Sequence, residues 1–382
     1  MAAQRRLRAV FMRGGTSKAI MFRREDLPAD AAAWDPIFSA AMGSPDPFGR
    51  QLDGLGGGIS SLSKVCVIGR SERADADVDY TFAQVAVDST VVDYAGNCGN
   101  MTSAVGPFAV DEGMVEPASD GPVTVRIFNT NTQRIILAHF EVEGAAARAD
   151  GPLAIDGVAG TGSPIRLEFL SPGGAKTGRL LPTGNPTDRL SVEGLGVLDA
   201  SLVDAGNPCV FVPAAAFGVL GTESPDNLES RPGFQDAMEA VRRAAAVAMG
   251  LAADLGSAPL SIPKVAIVTA PTETTTLSGQ TVAAADVDVV VRMMSMGRPH
   301  RAVPVTGALC LAAACRIPGT VPARLASAAP DGAIRVGHPS GRLLTDARVS
   351  YAAGDTTVDS VSLFRTARRL FEGRVLVPAG CA

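Results

Sequence analysis

The chain has 382 residues, 46% of them hydrophobic, with 41 glycines and 26 prolines, long enough for two lobes with a core in each. Lysine and arginine number 34 against 39 acids, a net charge of -5 without basic blocks. That balance makes nucleic acid and anionic membrane poor partners but leaves room for a local anion site. Six cysteines, at positions 66, 98, 209, 310, 315 and 381, form no CxxC pair and have no clustered histidines beside them, which excludes a zinc knuckle and a dense disulfide scaffold and predicts a reducing compartment. The opening MAAQRRLRAV carries no apolar core, and no run of about eighteen apolar residues follows, so a cytoplasmic protein is expected.

The first informative segment is MRGGTSKA, Met12 to Ala19, after a short N-terminal strand. Arg13 could fork onto a carboxylate with Thr16, Ser17 and the turn amides completing the contact; alternatively Gly14-Gly15 is an ordinary hairpin turn. A helical pattern covers Ala31 to Met42. The glycine-rich LDGLGGGISSLSKV, Leu52 to Val65, lacks the strand-loop-helix setting of a dinucleotide or phosphate loop. The amides of Gly56 to Gly58 with Ser60, Ser61 and Ser63 could instead form a carboxylate nest with Lys64 as its cation, or be a flexible loop ahead of a surface lysine. Lys64 is one of only four lysines, with Lys18, Lys176 and Lys264, in a chain that uses arginine for nearly all its positive charge. A scarce lysine has a raised chance of a specific task, and it can lose a proton where arginine cannot.

Strands are expected at KVCVIG from Lys64, VDYTFAQVAV from Val78, VTVRIFNT from Val123 and RIILAHFEVE from Arg134, with His139 structural. Between them, AGNCGNMTSAVGPF sets Cys98 between Gly96 and Gly99, ahead of a helix predicted over Asn100 to Glu112. Free amides at Gly99, Asn100 and Met101 would bind a carboxylate and favour a thiolate, making Cys98 a base or acid; the plainer alternative is a small buried hydrophobe. PTGNPTDRL, from Pro182, has the content of a linker. Asn207 and Cys209 follow in GNPCVFV, and further helices are expected over Phe234 to Ala253, Thr306 to Cys315 and Thr366 to Glu372. SMGRPHRAVPVTGA, Ser295 to Ala308, and GHPSGR, Gly337 to Arg342, contribute His300, Arg301, Thr306, Gly307, His338 and Ser340 as binding candidates. Cys66, Cys310 and Cys315 sit in apolar patterns and read as packing residues, and three scattered histidines make no metal site.

A repeat runs through this order. Lys64-Val65 returns as Lys264-Val265, Asp77-Val78-Asp79 as Asp286-Val287-Asp288, and the helix ending at Gly113 as one ending before Gly319. The offsets agree within about ten residues, which favours duplicated lobes. The expected division is residues 1–190 and 191–382, α+β lobes each placing a helix start near a shared cleft.

The blocks MRGGTSKA, MGSPD, QLDGLGG with SKV, ADVDYTFAQV, GNCGNM with VGPFA, RIFNTNT, LLPTGNP, MSMG-HRA-TGA, GHPSG and RTARRLFEG together resemble the PrpF family, which has the diaminopimelate-epimerase-like fold. The resemblance spans nearly the whole chain. It implies two pseudo-symmetric lobes with the site between them, the C-terminal strand crossing back to the first, and a homodimer as a compatible assembly. It also implies a cofactor-independent isomerase that moves a proton, and usually a double bond, in a small unsaturated di- or tricarboxylate, with Cys98 and Lys64 as the matching catalytic residues. Related epimerases use two cysteines, one at each helix start; the second counterpart here falls at Pro304 to Thr306, where there is none, which agrees with a lysine-thiol pair. VDYTFAQV, VVDYAGNCGN and IFNTNT are most similar to the methylitaconate isomerase branch, and HRAVPVTGA to the oxalomesaconate tautomerases. A tautomerase or aconitate isomerase is the alternative activity, and a carboxylate sensor the alternative without chemistry. A nucleotide-dependent oxidoreductase would rest on glycine-rich loops alone.

Overall fold

A computed structural model describes residues 4–94, 98–295, 297–329, 332–352 and 355–380. Cys381, Met296 and the Ala-Gly-Asn ahead of Cys98 lie outside the described residues. The chain divides into two α+β units, the first running to Phe169 and resuming at Phe364, the second running from Leu170 to Leu363. The division thus falls at 169/170 where 190 was expected.

Up to the end of its first stretch, the longer strands of the first unit are β1 (Arg5–Gly14), β2 (Ser17–Arg23), β3 (Lys64–Arg70), β4 (Val78–Val85), β5 (Gly121–Asn129), β6 (Arg134–Glu143) and β7 (Ile165–Leu170). The helices α1 (Trp34–Met42) and α2 (Gly99–Asp111) connect parallel neighbours, β2 to β3 and β4 to β5. All other neighbours are antiparallel. Alternation sorts side chains to the two faces. Val65 and Val67 of β3 join Ile20, Phe22 and Phe11 in a core closed by Trp34, Ile37, Phe38, Ala41 and Met42 of α1. The other face of β3, starting with Lys64 and Cys66, is the face of α2, a helix buried from Met101 through Val110.

The second unit repeats this plan. It contains β8 (Asp188–Val192), β9 (Gly196–Asp204), β10 (Pro208–Pro213), α3 (Phe234–Ala248), β11 (Lys264–Thr269), β12 (Val289–Ser295), α4 (Val305–Arg316), β13 (Ile334–His338), β14 (Gly341–Ala352) and β15 (Asp355–Arg365), whose last two residues, Phe364 and Arg365, belong to the first unit. The pairings β10/β11 and β12/β13 are parallel, as β2/β3 and β4/β5 are, and the rest antiparallel. Its core sets Val210, Val212, Val265 and Ile267 against Phe234, Met238, Val241 and Ala245 of α3.

Two expectations are corrected by these registers. Asp77 pairs its backbone and carboxylate with Arg126, and Asp288 does the same with Arg335, so the equivalent of Asp77 is Asp288, not Asp286. Thr366 to Glu372 is not helical: from Ala367 on it belongs to β16 (Ala367–Val377), antiparallel to β1 from Arg5↔Val377 to Gly14↔Ala367. Ladder bonds along all of β1 override the local helical pattern. In the first unit β16 holds the place beside β1 that β8 holds beside β9 in the second. No helix among the described residues is long and apolar enough to cross a membrane.

Candidate functional site

Lys64 opens β3 and is only 7% exposed. Its Nζ donates to Gln84 Oε1, which stands opposite it in the β3/β4 register, and lies 5.0 Å from the centre of the Phe82 ring. Gln84 in turn donates from Nε2 to the Ser63 and Ser60 carbonyls at 2.9 and 3.1 Å. The ammonium is therefore held by an amide and an aromatic face, with no ion pair to a carboxylate among the described residues.

Cys98 is the N-cap of α2, extended at φ -110° and ψ 97°, and its half-buried free thiol makes no capping bond. Its carbonyl accepts the first helical bond, from the Thr102 N–H at 2.9 Å, and also the Thr102 hydroxyl at 3.0 Å. Helix geometry leaves the first-turn amides of Gly99, Asn100 and Met101 without acceptors inside the helix, at the end whose dipole favours an anion. Cys66 locates both groups. Burial pushes its thiol pKa upward, and it also feels the charges of Cys98 and Lys64. Tyr80, whose hydroxyl lies 3.8 Å from the Cys66 sulfur, is raised well above its ordinary value by burial and then by Cys66 and Cys98. Lys64 and Cys98 thus stand around one buried, neutral Cys66–Tyr80 floor.

The turn between β1 and β2 reaches the same helix start. Gly14 pairs with Ser17, so Gly15-Thr16 is the hairpin turn, and Asn100 Nδ2 donates to Thr16 Oγ1 at 3.1 Å. Gly15, at φ +51°, has no room for a side chain: a Cβ would stand 2.3 Å from Asn100 Oδ1. Ser17 is buried beside this turn. Arg13, expected to fork onto a carboxylate, sends Nη1 to the Gly15 carbonyl and to the Thr366 carbonyl and hydroxyl, each at 3.0 Å. It braces the turn.

The expected nest also has a different occupant. Gln51 Oε1 accepts the Gly58 N–H at 2.9 Å and the Ser63 hydroxyl at 2.6 Å, while Gln51 Nε2 donates to Ser44. A Cβ on Gly56 would meet the same Gln51 oxygen at 2.2 Å, so these glycines let the loop close around an internal amide. Ser63 is fully buried there, one residue ahead of Lys64.

In the second unit, Lys264 opens β11 as Lys64 opens β3, and the α4 N-cap corresponding to Cys98 is Pro304. Thr306 and Gly307 lie in the first turn of α4, and Gly307 faces Met293 so closely that a Cβ would be 2.3 Å from its sulfur. His300 lies close enough to Lys264 to feel its charge; burial first, then that charge, lowers its pKa. Its Nδ1 accepts the Ala302 N–H at 3.0 Å, which leaves Nε2 carrying the proton of the neutral ring. Arg301 pairs with Asp226 at the surface, and Ser340 donates to the Arg301 carbonyl, fastening the segment before α4 to the β13/β14 turn. His338 is buried and accepts the Ser340 N–H at 3.2 Å, and Asn207 donates to the Pro208 carbonyl.

Two residues beside Cys98 and Lys64 were missed from sequence. Gln84 owes its place to the β3/β4 register, which sets it opposite Lys64. Arg365, whose Nε donates to Asn100 Oδ1 at 3.0 Å, has no signal in the sequence, because its neighbourhood depends on β16 pairing with β1. Burial lowers its pKa to about 10, with Cys98 acting in the opposite direction.

The family described as PrpF protein matches residues 4–378. The 2-methyl-aconitate isomerase of Shewanella oneidensis is 39% identical, with 98% of this chain and 98% of that protein covered. The 3-methylitaconate isomerase of Eubacterium barkeri is 42% identical over 99% and 98%. The (4E)-oxalomesaconate Delta-isomerase of Novosphingobium sp. is 41% identical over 96% of each. The crystal structure of a methylitaconate-delta-isomerase superposes with a TM-score of 0.90 at 41% identity, covering 99% of this chain and 97% of that one.

Proposed function

The chain belongs to the PrpF family, and from that premise we propose that it is an isomerase of small unsaturated di- or tricarboxylates that moves a proton and the double bond with it. The observation that carries this reading is that Lys64 stands two residues from Cys66 on one face of β3, with Cys66 3.8 Å from the Tyr80 hydroxyl, while Cys98 caps α2 and accepts the Thr102 hydroxyl through its carbonyl.

One of the pair, thiolate or amine, removes the proton from a carbon next to the alkene. The C–H electrons become the new double bond, and the old double bond's electrons extend as a dienolate onto the conjugated carboxylate. The other residue then delivers a proton to the far allylic carbon, so one proton leaves and one arrives. The extra charge of the dienolate is met by the first-turn amides of α2, fixed dipoles that need no rearrangement as the charge develops. Because donor and acceptor carbons differ, two chemically unlike groups suit this shift better than the matched thiols of a racemase.

Side-by-side turnover of 3-methylitaconate, 2-methylaconitate, trans-aconitate and oxalomesaconate tests the reading. These substrates differ by a methyl, a keto group or a carboxylate, so a mismatched site leaves a pocket unfilled or a charge unpaired. Conversion of at least one, abolished in Cys98→Ala, is expected. Tight dicarboxylate binding with no turnover of any would favour the sensor instead.

A further inference from the structure

We propose that Arg365 is the anchor for one substrate carboxylate, gripping it beside Cys98. The inference rests on the isomerase reading and adds a binding residue to it. Arg365 is only 9% exposed. Its Nε donates to Asn100 Oδ1 and its Nη1 to the Phe364 carbonyl, both at 3.0 Å, while Nη2 makes no hydrogen bond among the described residues. No acidic side chain among the described residues pairs with it.

Other buried arginines are treated differently. Arg292 spends Nε, Nη1 and Nη2 on the Glu223, Val291 and Thr222 carbonyls and the Thr274 hydroxyl. Arg242 is paired with Glu239. Arg365 is a desolvated cation without a counter-charge, and it stands at the positive end of α2, where a second positive charge is repelled. That combination is unfavourable by itself and is relieved by an anion meeting the Nη2 donors and the helix amides together. A planar guanidinium suits a carboxylate bidentately. Asn100 aims it, held between Thr16 and Arg365.

Isothermal titration with methylsuccinate, a saturated dicarboxylate that cannot be isomerised, and with its two monomethyl esters reads the anchor. Losing one partner of a buried charged contact predicts at least about thirtyfold weaker methylsuccinate binding in Arg365→Gln, and a smaller loss in Arg365→Lys. One of the two monoesters should bind the unaltered protein and Arg365→Gln alike, because it lacks the carboxylate the arginine holds. Asn100→Ala, which leaves the guanidinium in place but unaimed, should weaken methylsuccinate about three- to tenfold and keeps the test open where Arg365→Gln does not fold.

The proposal is overturned by methylsuccinate binding within twofold in Arg365→Gln, by equal losses for the diacid and both monoesters, or by no binding to the unaltered protein. It is likewise overturned by a shifted pH midpoint for Cys98 alkylation by iodoacetamide with diacid binding unchanged, which would make Arg365 a tuner of the thiol. Since methylsuccinate does not react, the titration is independent of turnover: isomerisation by Arg365→Gln with unchanged KM would sink the anchor and leave the isomerase standing.

Discussion

Gly15→Ala perturbs the helix start without touching Cys98 or Lys64, and Gly113→Ala is its control. Both glycines are left-handed, at φ +51° and +64°. An alanine in that region costs about 1–2 kcal/mol whatever its surroundings. Around Gly113 nothing lies within 4 Å of the added Cβ, so that cost is the whole effect. At Gly15 the Cβ would stand 2.3 Å from Asn100 Oδ1 and 3.1 Å from Arg365 Cδ, so Asn100 must leave its bond to Arg365. A hydrogen bond from a charged donor is worth about 1.5–3 kcal/mol, which brings the total for Gly15→Ala to about 2.5–5 kcal/mol. The melting temperature should fall by several degrees more than in Gly113→Ala. In kinetics, Gly113→Ala should match the unaltered protein, while Gly15→Ala should raise KM about tenfold or more as the Asn100–Arg365 contact is lost. Thermal melts and steady-state assays on the two variants decide it. Equal melting points and equal KM values would refute the claim that this turn shapes the site.

Cys98→Ser should lower kcat by about 10²–10⁴ while the melting temperature holds or rises, because serine caps a helix with its side chain and Cys98 does not. Gln84→Ala removes the acceptor that positions Lys64 and should reduce kcat about tenfold with little change in KM, a split steady-state kinetics will show. Asp288→Asn should destabilise more than Asp77→Asn, by about 1–3 kcal/mol against less, since the carboxylates are 8% and 24% exposed in otherwise matching arginine pairs; parallel melts compare them. His300 is held below its ordinary pKa by burial, so its contribution is present above about pH 6.5 and is lost as pH falls through the lowered value. The melting temperature should drop between pH 7.5 and 5, less steeply in His300→Gln; identical slopes would remove His300 from that account.

What could be read from sequence followed from local rules. RIILAHFEVE runs from an apolar stretch into apolar-polar alternation from His139, and forms β6 with Ile136, Ala138, Phe140 and Val142 inward. GNCGN before an apolar run points to a helix from Asn100, one residue inside the start of α2 at Gly99, and the scarcity of lysine singles out Lys64. What escaped depends on partners far away in sequence. RTARRLFEG looks helical until β1 offers it a ladder, and only that ladder brings Arg365 to Asn100. The glycine-serine run looks like an open nest until Gln51 fills it. The Asp-Val-Asp match lies one aspartate out of register, because the feature that repeats is a cross-strand pairing with Arg126 and Arg335, which no short string displays.

The central claim is a proton taken from one carbon and returned to another by Cys98 and Lys64. NMR of the purified protein in deuterated water, with 3-methylitaconate and 2-methylaconitate, follows both carbons as product forms. Deuterium entering at the far allylic carbon together with double-bond migration, and lost in Cys98→Ala, is the predicted result; full turnover by Cys98→Ala, or migration with no solvent deuterium at either carbon in both substrates, would contradict it.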